Sequence, residues 1–513
     1  MSQPYRLINE GLINRNKEII FKFNGKKYIG YEGDTLASAL LANGVHLVGR
    51  SFKYHRPRGF FGAGVDEPNA KLQIKLNNHS EPNVNATEIE LVEGIEATSQ
   101  NCWPSVEFDV GAINNFLNKF FPAGFYYKTF MWPSKLWMFY EHFIRKSAGL
   151  GRSPTSKDKD IYDHRYLHCD VLVVGGGISG IIAAKIAAKN NKNTILLDDK
   201  PKLGGSTIYQ NNDCFKIGGI NSSTWLSKEI ESLTNLKNLT VKTRTSLAAY
   251  HSYNYLLARE NLTDHLNLNE RRGKIRQRLW KIRAKKVIIA SGSIERPLIF
   301  DNNDRPGIIL SSSIKKYIDY YGVKCGQKLS LFTNNDSAYE TAISLSKSGV
   351  NVNSIIDIRE RSTSSIVKCT EKLGIKIHWK HTVINTNGYK KINSVEIMKL
   401  SDDGSNVVGN KINESCDCLG VSGGWTPMVH LFTQSGGKLK FRDSDQVFLP
   451  NTAMSDQISI GSCNGDFELD DIIKNTISDC RNFLSSSTTD FDLVKVNCPK
   501  QKESKNADIL LTL

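Results

Sequence analysis

The sequence has no long apolar run. None of its stretches reaches the roughly 18 apolar residues of a membrane-spanning helix, so no such span is expected. It has no cysteine framework either: ten cysteines are scattered over 513 residues, and only Cys416 and Cys418 lie close together. One residue between them is too few for a redox pair with two intervening residues, and no second pair completes a zinc site. Reduced thiols in the cytoplasm are therefore expected. No export signal is expected either, because Met1 to Arg15 is polar and lacks an apolar run before a small-residue cleavage site. A concentrated basic stripe is also absent. The excess of 67 Lys+Arg over 52 Asp+Glu gives +15, but the cations are spread out, with only short clusters such as Arg271-Arg272 and Lys285-Lys286. That argues against nucleic acid and leaves nucleotides or an acidic protein subunit as partners. Hydrophobic residues at 40% and charged residues at 23% exclude a mainly disordered chain, a collagen and a coiled coil. The length allows roughly three domains.

The first hundred residues carry the signals of a small β-rich unit. Ile19 to Gly30 reads as two strands around Asn24-Gly25, a strong hairpin signal. Leu36 to Ala42 reads as a short helix, with Asp34 as its expected N-cap and Asn43-Gly44 as its end. A basic, glycine-bearing loop runs from Gly49 to Gly59, and strand signals resume at Lys71 to Ile74 and Ile89 to Val92. Residues 103 to 150 are strongly aromatic, among them Phe116, Phe125, Phe130, Trp137 and Phe143. The plain reading is a helical linker packed against the next domain; the sharper one is a subunit interface. Residues 150 to 165 are polar and extend this linker.

Cys169 to Val174 is an apolar run of strand length, followed at once by Gly175-Gly176-Gly177-Ile178-Ser179-Gly180. An Ala-rich helical pattern comes next, then a second strand, Thr194 to Leu197, ending in Asp198-Asp199. Strand, glycine turn, helix, strand and acid together form a dinucleotide fingerprint. Gly175 permits the tight turn, Gly177 lets the backbone approach a pyrophosphate, and Gly180 lets helix and strand pack closely. The helix N-terminus offers free N–H groups to the phosphates. Asp198 can accept hydrogen bonds from ribose hydroxyls. An acid there disfavours a 2′-phosphate, which favours NAD or FAD over NADP.

A second glycine pair, Gly204-Gly205, stands just after the acid and before Ser206. The chain here resembles the two-dinucleotide-binding-domain flavoproteins, of the glutathione-reductase-like Rossmann type. Lys286 to Ser293, with its Ser291-Gly292 turn, resembles the crossover segment of that superfamily. Ser459 to Gly465, with Gly461 and Ser462, resembles its late glycine segment. A further α/β unit follows the crossover: a strand at Lys328 to Thr333, a helix from Ser337 and a strand at Val352 to Ile358. Its expected glycine fingerprint is replaced by Asn334-Asn335-Asp336-Ser337, and Asp336 would repel a pyrophosphate.

Several long, ordered stretches resemble one family, the alpha subunits of heterotetrameric sarcosine oxidase. They include Gly33 to Gly44, Gly49 to Gly59, Glu67 to Ala70, Ile294 to Leu298, Asn303 to Gly307, Thr333 to Tyr339 and Ser422 to Pro427. The resemblance implies an N-terminal ferredoxin-like β-grasp domain of the 2Fe-2S type, without a cluster. The only cysteine before residue 150 is Cys102, and a cluster needs four thiolates. It implies NAD bound by this chain, FMN shared at the interface with a beta subunit, and FAD in that beta subunit. It implies gamma and delta subunits, and the oxidation of sarcosine to glycine with formation of hydrogen peroxide.

Carried over by motif, Gly175, Gly177, Gly180 and Ser179 should face the NAD pyrophosphate. Asp198, Asp199 and Lys200 should surround the adenosine ribose. Gly204, Gly205 and Ser206 follow, Leu247 should bring backbone groups to adenine, and Ser291, Gly292, Gly461 and Ser462 should close the site. No catalytic residue and no metal site are expected in this chain. Family chains run to about twice this length and end in a domain that binds tetrahydrofolate. The present sequence ends at Leu513 after a Ser/Thr- and Lys-rich stretch, so the folate-dependent half is not expected here, whether through a split gene, a truncation or a shorter architecture.

The expected division is 1–102 ferredoxin-like, 103–165 aromatic helical linker, 166–315 with 420–482 as a Rossmann-type domain, 316–419 as the second α/β unit, and 483–513 as a polar tail. Two alternatives remain beside the oxidase subunit. One is a non-catalytic NAD-binding scaffold of a related amino-acid dehydrogenase or oxidase complex. The other is an independent FAD/NAD(P)-dependent oxidoreductase of the disulfide-reductase type.

Overall fold

The computed structural model describes residues 3–76, 79–120, 132–148, 151–210, 215–485 and 496–497. Asn24 and Gly25, both at positive φ, reverse the chain between β1 (Asn14–Phe23) and β2 (Lys26–Glu32), as the dipeptide predicts. Helix α1 (Leu36–Ala42) is buried along its whole length. With β3 (Lys71–Leu76), β4 (His79–Asn85) and β5 (Glu96–Thr98) it completes a β-grasp unit, whose sheet runs β2-β1-β5-β3-β4.

Two local expectations need correction. The N-cap of α1 is Thr35, in a capping box with Ser38; Asp34 stands one residue too early. The buried Asp34 carboxylate instead takes the Ser38 hydroxyl at 2.6 Å and pairs with Arg6 at 2.6 Å. Ile89 to Val92 is not a strand. It makes one bridge, Thr35 to Glu90, because its backbone bonds the turn before α1.

The aromatic segment contains short helical turns and a helix, Trp137–Ala148. Among its described aromatics, Phe116, Phe120 and Trp132 are exposed. Phe121, Phe125, Tyr126, Tyr127, Phe130 and Pro122 lie outside the described residues.

The first nucleotide unit is built on β6 (Ile161–Val174), α2 (Ile178–Lys189), β7 (Thr194–Leu197), β8 (Leu239–Lys242), β9 (Thr245–His251), β10 (Tyr255–Asn261) and β11 (Ile275–Ile289). The sheet runs β8-β7-β6-β11-β10-β9. β6 pairs with β11 from Ile161 to Val174, so the last residues of the expected linker are strand. Their side chains are mixed, but thirteen paired positions carry the ladder past the apolar core.

The second unit has a parallel sheet of β12 (Ile308–Leu310), β13 (Leu329–Thr333), β14 (Val352–Asp357), β15 (Lys376–Trp379) and β16 (Cys418–Ser422), in the order β12-β16-β13-β14-β15. Helices α3 (Ser311–Asp319) and α4 (Ser337–Lys347) belong to it. The expected seams at 315 and 420 therefore cut this unit, because β12 and β16 pair with each other inside it.

The chain then returns to the first unit. β17 (Gln457–Ser459) pairs with β11, and α5 (Leu469–Leu484) packs its Ile473, Ile477 and Cys480 into the core of α2. The expected tail at 483 begins inside α5, and Val496–Asn497 pairs with Lys216–Ile217; the rest of that tail lies outside the described residues. Among the described residues no helix is long and apolar enough to cross a membrane.

Candidate dinucleotide site

The glycine turn between β6 and α2 is held by close contacts that exclude side chains. Gly175 has φ +105°, and a Cβ there would lie 2.2 Å from the Ala290 carbonyl oxygen. A Cβ on Gly180 would lie 1.8 Å from the Gly175 carbonyl oxygen. Gly177 is different. It has an ordinary backbone as the N-cap of α2, and a Cβ there would meet nothing within 4 Å. Its lack of a side chain leaves open space in front of the helix N-terminus, where unsatisfied N–H groups point.

The other expected residues converge on this space. A Cβ on Gly205 would lie 3.1 Å from the Gly177 Cα. Gly204 donates its N–H to the Gly176 carbonyl at 2.7 Å, and Ser206 is exposed at the start of the following turn. A Cβ on Gly461 would lie 2.3 Å from the Ser179 hydroxyl, and one on Gly292 would lie 3.9 Å from the Ser462 hydroxyl. Ser291 donates to the Met428 carbonyl at 2.8 Å. Four separate chain segments thus meet at the N-terminus of α2.

The acid turn is more constrained than its sequence suggests. Asp198 is buried and accepts the Gly176 N–H at 2.5 Å through one oxygen and the Lys200 N–H at 2.7 Å through the other. Burial pushes its carboxyl up to about 6, against these two bonds. Each oxygen keeps a further acceptor position for a ribose hydroxyl. Asp199 pairs with Lys200 at 2.9 Å. Thr245 donates its N–H to the Asp198 carbonyl at 2.8 Å, which sets the start of β9, and Leu247 two residues on, beside the turn.

Three contributors were not anticipated from the sequence. Gly176 clamps the acid. Glu90 forms a bidentate pair with Arg244 at 2.6 and 2.8 Å, and Glu88 lies 3.6 Å from Lys200. The two glutamates come from the N-terminal unit, more than a hundred residues away, so no local signal could reveal them.

The second unit is closed to a phosphate. Asp336 stands at the N-terminus of α4, fully buried, with Arg359 at 2.8 Å. Arg359 also pairs with Asp357 at 2.7 Å, and Asp357 accepts the Tyr339 hydroxyl at 2.7 Å. The position that a pyrophosphate would need is thus taken by an internal ion network.

The N-terminal fold invites a 2Fe-2S cluster, and its residues do not fit one. Cys102 is the only cysteine before residue 150, and burial pushes its thiol up to about 11. The loop after α1 is filled by Arg50, whose buried guanidinium donates to the Val106 carbonyl at 2.7 and 2.9 Å, and by a His55–Asp109 pair at 2.7 Å.

Comparison with known proteins follows these divisions. Residues 16–102 match the family described as 2Fe-2S iron-sulfur cluster binding domain, and residues 170–216 the family FAD dependent oxidoreductase. The sarcosine oxidase subunit alpha of Rhizobium meliloti (strain 1021) is 39% identical over 452 residues, which is 87% of this chain. That of Corynebacterium sp. (strain U-96) is 31% identical over 91% of this chain. The chain belongs to the sarcosine oxidase alpha-subunit family. It covers 44% of each of these two relatives, so it spans less than half their length. Among solved structures, L-proline dehydrogenase from P. horikoshii matches with a TM-score of 0.58 at 19% identity, over 90% of this chain and 71% of that one, a likeness of fold.

Proposed function

We propose that the chain serves as the alpha-type subunit of a multisubunit sarcosine oxidase and binds NAD at the N-terminus of α2. The observation that carries this reading is the open space in front of Gly177, ringed by Ser179, Gly205 and Gly461. In this reading the N–H groups of α2 and the Ser179 hydroxyl hold the pyrophosphate. Gly175 and Gly180 keep the turn tight. Asp198 takes a ribose hydroxyl, with Asp199 and Lys200 beside it. Gly204, Gly205 and Ser206 flank the ribose side, the backbone near Leu247 meets adenine, and Ser291, Gly292, Gly461 and Ser462 close the far end.

FMN would lie at the contact with a beta subunit that carries FAD, with gamma and delta subunits completing a cytoplasmic assembly. When bound, the flavins supply the two-electron oxidation of sarcosine, with oxygen as the final acceptor. The residues of this chain bind and orient, and none is assigned to a bond-breaking step. An independent reductase with two working nucleotide sites is opposed by the Asp336–Arg359 pair.

The test is co-expression with beta-, gamma- and delta-type chains, followed by cofactor extraction and a sarcosine-dependent peroxide assay. Release of NAD and flavin together with peroxide formation supports the reading. A fully assembled, flavin-loaded complex that makes no peroxide from sarcosine removes the substrate assignment. Release of no dinucleotide from this chain removes the site assignment.

A further inference from the structure

The outer halves of β6, β11 and β10 extend beyond the core that buries Val171, Val173 and Ile288 under α2 and α5. One face of this three-stranded ribbon packs inward through Trp280, Ile282, Leu256 and Ala258. Among the described residues, no residue on the opposite face is buried. The strand registers place Tyr162, His164, Tyr166 and His168 of β6 beside Gln277, Leu279, Lys281 and Arg283 of β11. These in turn face Asn261, Arg259, Leu257 and Tyr255 of β10. None of these twelve residues is buried, and Tyr166 is 66% exposed.

The face is mainly cationic, although at one end Tyr162 donates to Asp158 at 2.7 Å and Gln277 to Asp264 at 3.1 Å. It carries Arg259, Lys281 and Arg283, and no Asp or Glu at any of the twelve positions. Elsewhere the chain pairs many of its cations: Arg278, on the inward face of the same strand, holds Asp163 at 2.7 Å, and Lys285 just beyond the ribbon holds Asp170 at 2.8 Å. Among the described residues, Arg259, Lys281 and Arg283 make no ion pair. Lys281 lies over the Tyr166 ring at 5.2 Å and Arg283 over Tyr255 at 4.8 Å. Aromatic faces hold these cations in place without cancelling their charge. Tyrosine and arginine on an unburied sheet face make an interface composition, and cations without an ion pair select an acidic counterpart.

We propose that the open face of the β6–β11–β10 ribbon is the docking surface for a carboxylate-rich flavoprotein subunit. This rests on the multisubunit reading above and goes beyond it by naming the face and the charge of its partner. Three cations over twelve positions are too sparse to track a phosphate backbone, and Leu257 and Leu279 give the face an aliphatic centre suited to a protein.

The experiment uses the full chain and its co-expressed beta-type flavoprotein subunit. Binding is measured by sedimentation at low and moderate salt for wild type, for Lys281→Glu/Arg283→Glu, and for Lys281→Gln/Arg283→Gln. Lys368→Glu, exposed on the second unit, serves as control. Thermal melts and dinucleotide content report on folding. The proposal expects the charge reversal to weaken assembly by about tenfold or more, the glutamine pair less, and the control not at all, with the wild-type complex loosening as salt rises. Equal binding by wild type and reversal variant overturns the proposal and leaves the multisubunit reading intact. If wild type and the flavoprotein subunit do not associate at all, both readings fall. A single-stranded oligonucleotide that binds wild type but not the reversal variant, while the flavoprotein subunit binds both, overturns it in favour of nucleic acid.

Discussion

The guanidinium of Arg359 lies 2.8 Å from the Asp336 carboxylate, at the helix terminus where the second nucleotide unit would otherwise meet a phosphate. Both groups are almost wholly buried, and Asp357 shares the same guanidinium. Replacing Arg359 by Leu leaves two buried carboxylates without their cation. The expected loss is about 3–5 kcal/mol in urea unfolding. Dinucleotide released per folded chain should not change, because the proposed NAD site lies in the first unit.

The glycines of the first unit separate structural from ligand-facing roles. Gly177→Ala puts a methyl group into space that no protein atom occupies, at a backbone angle that alanine adopts freely. Stability should hold or rise by up to about 1 kcal/mol, while bound NAD is lost. Gly180→Ala drives a methyl group against the Gly175 carbonyl and should destabilise by roughly 2–3 kcal/mol or prevent folding. Thermal melts read together with cofactor extraction distinguish the two outcomes. A Gly177→Ala protein with full NAD content would count against the site.

Asp198 gives a pH signature. Its carboxyl is raised from 3.8 to about 6 by burial, so its contribution to stability is complete below about pH 4 and disappears as pH rises through 6. The change amounts to roughly 3 kcal/mol over that window. Asp198→Asn should flatten this part of the stability–pH curve in urea melts at pH 4.5 to 7.5. A ribose hydroxyl donates best to the ionised form, so NAD affinity of wild type should rise from pH 5 to 7, and that of the variant should not.

The Glu90–Arg244 pair links the N-terminal unit to the acid turn, since Arg244 also donates its N–H to the Lys200 carbonyl at 2.9 Å. Both side chains are about a quarter exposed, so the pair contributes modestly. Glu90→Gln should weaken NAD binding by about two- to fivefold, with little change in melting temperature. Titration calorimetry checks this, and an unchanged affinity would mean that the clasp does not reach the ribose turn.

The Asn24-Gly25 hairpin, helix Leu36–Ala42 and the strand–turn–helix around Gly175 were all legible locally. Each depends on backbone preferences and apolar spacing that a short window contains. The single cysteine before residue 150 was likewise legible in the sequence. Only tertiary structure decided that Ile161 to His168 is strand, that β12 and β16 belong to the second sheet, and that Asp198 accepts two backbone amides. It also decided that Asp336 is neutralised by Arg359 and that Glu90 pairs with Arg244, 154 residues further along the chain. Strand pairing, burial of charge and ion pairing between distant segments are long-range properties. Their energy exists only once the chain has folded, and no local pattern of residues encodes which partner will be found.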